Sequence, residues 1–452
     1  MSNKNKRVAT LCFGVAMLLV PAVSQAQTAA LQGGLDRLFS VAEERNATLQ
    51  TMRSAIDVAH AGVDAAQKAK LPDVSAQLSV SYLGDAWLWN RHFGESTKAP
   101  MPHFGNNFLF KAQQVVYSGG ALTAGVAMAQ QNEQMQRLSA DNERQRVQFL
   151  LTGLYLQLHS LLNQQKVYER NRTLAEEQIA LMKQRYSKGV ALHSDITRYE
   201  LQLQQISLGL TAVIDRQSIV RKQLATALGV ADGDTAALAS AVSLLPEEAF
   251  DDKAISVGAE AEWQQLASQE HIGLQQSALG IDMSRTQEKL ERSERLPKLA
   301  LIAENHLDGP ITIEVPPIDK NLNYWFVGVG VSYNFSALWK NKSKVRKARL
   351  ATANAQDRLT EARKGVSDGV HAAFTDFGTA CTQLATREKS LQLARENYDV
   401  VSRRYQNGLA IVTDLTDAAN MRLDAELQLA NARINLVYAY YNLCFVANKQ
   451  HA

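Results

Sequence analysis

A short phrase occurs twice in this chain. Arg185-Tyr186-Ser187-Lys188-Gly189 returns as Arg404-Tyr405-Gln406-Asn407-Gly408, and an aspartate trails each glycine, first Asp195 and then Asp414. The offset is about 219 residues, long enough to hold a whole structural unit. Lys70-Leu71-Pro72 is echoed by Arg295-Leu296-Pro297 at nearly the same offset. Two separate landmarks agreeing on one spacing define a duplication. At 452 residues two unrelated domains are the default expectation, and the duplication overrides it.

The copies also agree in helical register. Leu151, Leu154, Leu158, Leu161, Gln165, Tyr168, Arg172, Ala175, Ile179, Met182 and Tyr186 step by three and four. Shifted by the offset, the steps fall on Val370, Ala373, Phe377, Ala380, Leu384, Arg387, Leu391, Ala394, Tyr398, Val401 and Tyr405. A sustained 3,4 spacing is a coiled-coil seam. No proline interrupts the stretches 121–188 and 339–407, so each predicts one helix of about 100 Å. The flanking stretches 35–70 and 192–228, then 259–295 and 412–447, each predict a helix of about half that length.

Each copy sets a β-hairpin between its short and long helices. Val74–Tyr82 alternates apolar with small or polar residues, and Phe108–Tyr117 is its expected partner. In the second copy Lys298–Glu304 pairs with Trp325–Tyr333, where Trp325, Val327, Val329, Val331 and Tyr333 share one face. Strands of about 9–11 residues cross a bilayer at a tilt, and aromatics near strand ends suit the interfaces. Four strands cannot close a barrel, and an open edge is not tolerated in lipid. If these strands span, several chains must share one barrel.

The N-terminus points to the envelope. Lys4, Lys6 and Arg7 precede an apolar run from Val8 to Val20, and Ser24 and Ala26 supply small residues for cleavage. That is the pattern of a secretory signal peptide with a mature start near Gln27, the run being too short to span. Cys381 and Cys444 sit in helical patterns among apolar neighbours and read as buried free thiols. A net charge of +3 and a secretory signal argue against nucleic-acid binding. The chain has no phosphate loop, no H-E-x-x-H pair and no G-x-S-x-G elbow, so neither catalysis nor a cofactor is expected. His92 and His103 share the first hairpin loop, but two candidate ligands do not make a metal site. A basic run from Lys340 to Arg349 follows the last strand, where a solvated face or contact with anionic headgroups fits.

In this order and spacing, the motifs resemble the TolC family of outer-membrane efflux and secretion channels. The features that match are the duplication, the Leu-Pro before each hairpin, the Tyr117-Ser118-Gly119-Gly120 junction and the two Arg-Tyr-x-x-Gly turns followed by aspartate. The resemblance implies a mainly α fold with transmembrane β-hairpins. A duplicated helix–hairpin–helix unit would form a shared 12-strand β-barrel and a long periplasmic α-helical barrel as a homotrimer. The expected division is 1–26 signal peptide, 27–229 first repeat, 230–258 linker or equatorial segment and 259–452 second repeat. The implied function is the exit duct of a tripartite efflux pump, with a periplasmic adaptor, an inner-membrane pump and outer-membrane lipid as partners. The exit duct of a type I protein secretion system and a periplasmic coiled-coil scaffold without a pore are the alternatives.

The resemblance also assigns residues. Asp414 and Asp417 fall where family channels carry acidic rings at the periplasmic aperture. Solvated carboxylates at a helix start are the plainer reading of the same pair. Asp195 and Tyr405 match closed-tip contacts, joined by a hydrogen bond. Arg185, Tyr186, Gly189, Arg404 and Gly408 form the turns that would meet the adaptor. Two departures stand out. Ala410 replaces the arginine that clamps the tip in some members, and Asn334-Phe335-Ser336-Ala337 replaces the Gly-Gly junction, so that helix must start with another backbone shape.

Overall fold

The computed structural model describes residues 35–230, 257–314 and 317–449. The signal peptide, nearly all of segment 230–258 and Pro316 lie outside the described residues. In chain order the first copy contributes α1 (35–45), α2 (Ala47–Lys68), β1 (Asp73–Tyr82), β2 (Ala86–Trp89), β3 (Ser96–Ala99), β4 (Phe104–Tyr117), α3 (Ala121–Ser187) and α4 (His193–Leu228). The second contributes α5 (Glu260–Glu270), α6 (Ile272–Ser293), β5 (Lys298–Gly309), β6 (Leu322–Ser332), α7 (Ala337–Gln406) and α8 (Val412–Val446). No described helix is long and apolar enough to cross a membrane.

The long helices follow the predicted seams. Leu151, Leu158, Leu161, Ala175, Ile179 and Met182 are buried on α3, and Val370, Ala373, Phe377, Ala380, Leu384 and Leu391 on α7. Two of the four half-length stretches, α4 and α8, are single helices as expected; the other two correct that expectation. The helix starting at Leu35 breaks at Asn46, and the one starting near Ala259 breaks at His271. Each break uses its side chain to satisfy a helix end. Asn46 Nδ2 donates to the Ala227 carbonyl at 2.7 Å, in the last turn of α4. His271 Nδ1 accepts from the Gly273 amide at 3.1 Å and so caps α6.

The chain divides into two compact units, each drawing on both copies. Among the described residues, one gathers 35–46, 147–230, 257–262 and Ala372–Phe445, and it contains both glycine turns. The other gathers Ala47–Arg146, Trp263–His371 and the chain from Val446, and it contains both hairpins.

In the hairpin unit one antiparallel sheet runs β1-β4-β5-β6, and β2-β3 forms a separate small hairpin. That small hairpin carries Trp87 and Trp89 and was not anticipated from the sequence, where this stretch read as a loop. At the first junction Gly119 and Gly120 both take positive φ, 67° and 88°. A Cβ on Gly119 would also stand 2.8 Å from the Ser293 carbonyl, so glycine is required there twice over. The second junction has the expected different shape. Asn334 Oδ1 accepts from the Ser336 amide at 3.2 Å and the Ser336 hydroxyl at 2.8 Å, and starts α7 without glycine.

Among the described residues neither Cys381 nor Cys444 forms a disulfide; Cys444 is buried, but Cys381 is exposed, contrary to expectation. It lies next to the buried Ala380 on α7, and one residue on a helix turns the side chain by a large fraction of a revolution.

Candidate functional site

The paired turns end α3 and α7 in the same way. Gly189 has φ 72° and Gly408 has φ 74°. Val190 N donates to Arg185 O at 3.1 Å, and Gly189 N to Tyr186 O at 2.9 Å. Leu409 N donates to Arg404 O at 2.8 Å, and Gly408 N to Tyr405 O at 3.1 Å. These are two Schellman caps, with glycine in the left-handed position that satisfies the last carbonyls. A Cβ at either glycine would meet no other atom within 4 Å, so backbone conformation alone demands glycine.

The aspartates after the turns hold the next helices. Asp195 Oδ2 accepts from the Leu192 amide at 3.1 Å, and Asp414 Oδ2 from the Ile411 amide at 3.3 Å. Each carboxylate thus satisfies an orphan donor beside the positive end of its helix. Asp414 and Asp417 are both exposed, three residues apart on the first turns of α8, so they share a face.

The turns enclose a small core of Ile179, Met182, Ile196, Tyr199, Val412 and Leu415, with Tyr398, Val401 and Tyr405 packed against it. The Tyr405 hydroxyl donates to Met182 Sδ at 3.1 Å, and the Arg185 guanidinium lies 5.4 Å from the Tyr405 ring centre. Within the protomer Tyr405 and Asp195 therefore each bond elsewhere rather than to one another. Arg404 turns back on its own cap, 3.4 Å from Leu409 O. Tyr186 is exposed and sets its ring edge-on to His193. Sequence reasoning did not find Tyr199, which is buried with its hydroxyl unpaired; burial pushes its ionisation well up. Its signal was present, because Tyr199 continues the heptad spacing from Ile196.

The sheet has two unlike faces. Strand register places Val74, Ala76, Leu78 and Val80 on the same side as Phe108 and Phe110, Leu299, Leu301 and Ala303, and Trp325, Val327, Val329 and Val331. Most of that side is exposed; Leu78 is 70% and Val327 69% accessible. The opposite side carries Ser75, Gln77, Ser79, Asn107, Lys111, Gln113, Glu304, His306 and Asp308. Lys111 Nζ stands 3.1 Å from Glu304, and the His306 ring stands 3.0 Å from Glu304 and 3.6 Å from Asp308. His306 also stacks on Tyr324 at 4.7 Å. The strand runs past Glu304, where the sequence predicts its end, and the alternation Glu304, His306, Asp308 marks the continuation that brings this cluster together. In the loop before β4, His103 Nδ1 bonds the Leu83 carbonyl at 2.9 Å, and the ring stacks on Tyr82. Among the described residues no group of three ligand-type side chains could hold a metal.

Comparison with known proteins agrees with these features. The sequence model of the outer membrane efflux protein family matches residues 263–448. The outer membrane protein TolC of Salmonella enteritidis is 24% identical over 182 residues, covering 39% of this chain and only 37% of TolC. The outer membrane efflux protein BepC of Brucella suis biovar 1 (strain 1330) is 21% identical over 420 residues, 92% of this chain and 85% of BepC. Among solved structures, the Campylobacter jejuni CmeC outer membrane channel superimposes with a TM-score of 0.73 at 12% identity, covering 98% of this chain and 93% of CmeC. Over residues 263–448 the chain resembles the outer membrane efflux protein family, and its fold is that of the outer-membrane channels it superimposes on.

Proposed function

We infer that the chain is one protomer of a homotrimeric exit duct that passes small toxic compounds out through the outer membrane. The observation that carries this is the two-faced sheet with β1 and β6 at its edges. An apolar side suits hydrocarbon, and a side bearing Lys111, Glu304 and His306 suits water. In lipid the edge N–H and C=O groups of β1 and β6 must be paired, and other copies are the available partners. Three copies give twelve strands, an even number above the minimum of eight for a barrel.

The duct has no energy source of its own, so a periplasmic adaptor and an inner-membrane pump complete it. The turns with Arg185, Tyr186, Gly189, Arg404 and Gly408 are the adaptor contacts in this reading. Asp414 and Asp417 of three copies form an acidic aperture, which concentrates cations at a constriction. Tyr405 and Asp195 hold the closed tip, each through its own partner. The scaffold alternative gives no use to an exposed apolar sheet face.

The test is reconstitution of the purified protein in planar bilayers. Discrete conductance from a particle of three copies is expected; a water-soluble monomer without conductance would overturn the duct. Deletion of the gene is expected to raise sensitivity to toxic compounds with the secreted proteins unchanged. The reverse pattern would assign the duct to type I protein secretion.

A further inference from the structure

The apolar face of β6 continues beyond the strand. Val327, Val329 and Val331 are followed on the same side by Tyr333, whose ring packs edge-on against Phe335 at 4.8 Å. Phe335 is 67% accessible and Trp339, in the first turn of α7, is 64% accessible. Behind these aromatics the character changes. Lys340, Lys342, Lys344, Arg346, Lys347 and Arg349 follow, with no acidic residue among them.

The helix settles which side faces out. Asn341, Val345 and Ala348 are buried, and Asn341 Nδ2 donates to the Glu291 carbonyl. Trp339, Lys342 and Arg346, spaced by three and four, line the exposed side, flanked by Lys340 and Lys347. Two of the six cations are neutralised locally: Lys344 by Glu294 at 3.1 Å and Arg349 by Glu288 at 3.7 Å. Lys340, Lys342, Arg346 and Lys347 have no anionic partner among the described residues.

The other copy supplies a control. Residues 121–136 of α3 likewise follow a strand, β4, and contain no basic residue, only Glu133 as a charge. A helix leaving this sheet therefore needs no positive charge to form or to stay hydrated. The order along β6 and α7, from apolar through aromatic to cationic, matches the order of hydrocarbon, interface and headgroup in a bilayer. The scale matches too. Lys342 lies about 5 Å and Arg346 about 10 Å along the axis from Trp339. The headgroup layer is roughly 5–7 Å deep, and charge is felt about 8 Å beyond it in physiological salt.

We propose that the start of α7 is a docking surface for anionic phospholipid headgroups of the periplasmic leaflet, with Trp339 at the interface and Lys340, Lys342, Arg346 and Lys347 meeting the phosphates. The surface rests on the export-duct reading, which sets β6 across the bilayer. It fixes the depth of the barrel and draws a collar of acidic lipid around its inner rim. Each exposed cation near such a surface contributes about a fivefold preference when fully engaged.

The test uses the full-length protein reconstituted in phosphatidylethanolamine vesicles containing spin-labelled phosphatidylglycerol or spin-labelled phosphatidylcholine. The wild type is expected to hold phosphatidylglycerol at its boundary at least about fivefold over phosphatidylcholine, with the preference falling as salt rises. The variant K340Q/K342Q/R346Q/K347Q is expected to lose most of that preference while still inserting, forming the same oligomer and conducting. R363Q/K364Q, further along the same helix, is expected to keep it. No preference in the wild type, or a preference that survives in the quadruple variant, overturns the lipid surface and leaves the duct standing. Loss of the oligomer in the quadruple variant, with no lipid preference in the wild type, assigns the cations to contact between copies and also overturns it. Failure of the wild type to insert at all would instead sink the duct.

Discussion

The Tyr405 hydroxyl donates to the thioether sulfur of Met182 at 3.1 Å, joining the end of α7 to the end of α3. Its counterpart in the first copy, Tyr186, has no such bond and is 48% accessible. The two turns are alike in backbone and unlike in side-chain use: the second is tied inward, and the first is left outward. Arg185 adds its guanidinium over the Tyr405 ring, so the first copy holds that side chain at its hydroxyl and on one ring face.

The separation of Tyr405 from Asp195 can be measured as an energy. Tyr405→Phe removes a bond to a weak sulfur acceptor and is expected to cost about 0.5–1 kcal/mol. Asp195→Ala removes a helix cap and is expected to cost about 1 kcal/mol. Each side chain has its own partner, so the double variant is expected to be additive within about 0.5 kcal/mol in denaturant unfolding. A coupling above about 1 kcal/mol would mean that the assembled tip joins the two directly.

Gly189 and Gly408 are held by φ and not by space. Valine at either site is expected to cost about 1–2 kcal/mol, because the left-handed region is worst for β-branched residues. Asparagine is expected to cost less, since it tolerates that region. Chemical cross-linking to the adaptor should fall in the same order, and equal cross-linking in all variants would remove the turns from that contact.

Much of this arrangement was legible in advance, for identifiable reasons. The seams, both glycine turns and all four long strands leave period-3.5 or period-2 patterns that survive without tertiary context. The breaks at Asn46 and His271 were not legible, because each depends on a side chain finding one particular backbone group. The β2-β3 hairpin, with Trp87 and Trp89, lies within the predicted loop of the first long hairpin. At the turns, sequence identified the residues but not their partners. Tyr405 reaches Met182 because that residue is a fully buried member of a core built from four helices, against which Tyr405 packs. The repeat itself predicts equal roles for Tyr186 and Tyr405, so their divergence needs the structure.

Under the proposed acidic aperture, Asp414 would have two tasks where Asp417 would have one. Asp414 caps α8 through the Ile411 amide; Asp417 makes no hydrogen bond among the described residues. In planar bilayers, Asp414→Asn and Asp417→Asn are each expected to lower cation selectivity, and the double variant to lower it further. Asp414→Ala should also destabilise the helix start by about 1 kcal/mol, whereas Asp417→Ala should not. Reversal potentials identical to wild type in the double variant would take both residues out of the aperture.

His271 gives the hairpin unit a pH dependence of known sign. Burial of the ring lowers its ionisation below the ordinary histidine value, and the neutral ring caps α6 through Nδ1. The unfolded chain therefore binds the proton more readily, near pH 6.5. The stability from this cap is complete above about pH 6.5 and is lost as pH falls through the lower folded value. His271→Asn keeps an acceptor and removes the titration. Thermal unfolding from pH 8 to pH 5 is expected to show a smaller fall for that variant than for wild type, and parallel curves would count against the cap.

The sheet offers the most direct test of which side meets lipid. Val329 and Gly328 are neighbours on β6 that project to opposite faces. Val329 is exposed on the apolar side, and a Cβ on Gly328 would meet no other atom within 4 Å on the polar side. Local strain is therefore not what separates the two sites. An arginine facing the middle of the hydrocarbon costs about 2–4 kcal/mol in a barrel strand, repeated in every copy. Val329→Arg is expected to leave little protein in the outer-membrane fraction. Gly328→Arg is expected to insert, because its charge faces water, and to lower single-channel conductance by narrowing the lumen. The opposite pattern, with Val329→Arg inserted and Gly328→Arg excluded, would turn the sheet inside out and move Lys111, Glu304 and His306 to the lipid side. That placement would leave these three and Asp308, which pairs with His306, in hydrocarbon with only one another as ionic partners, which is why the first pattern is expected.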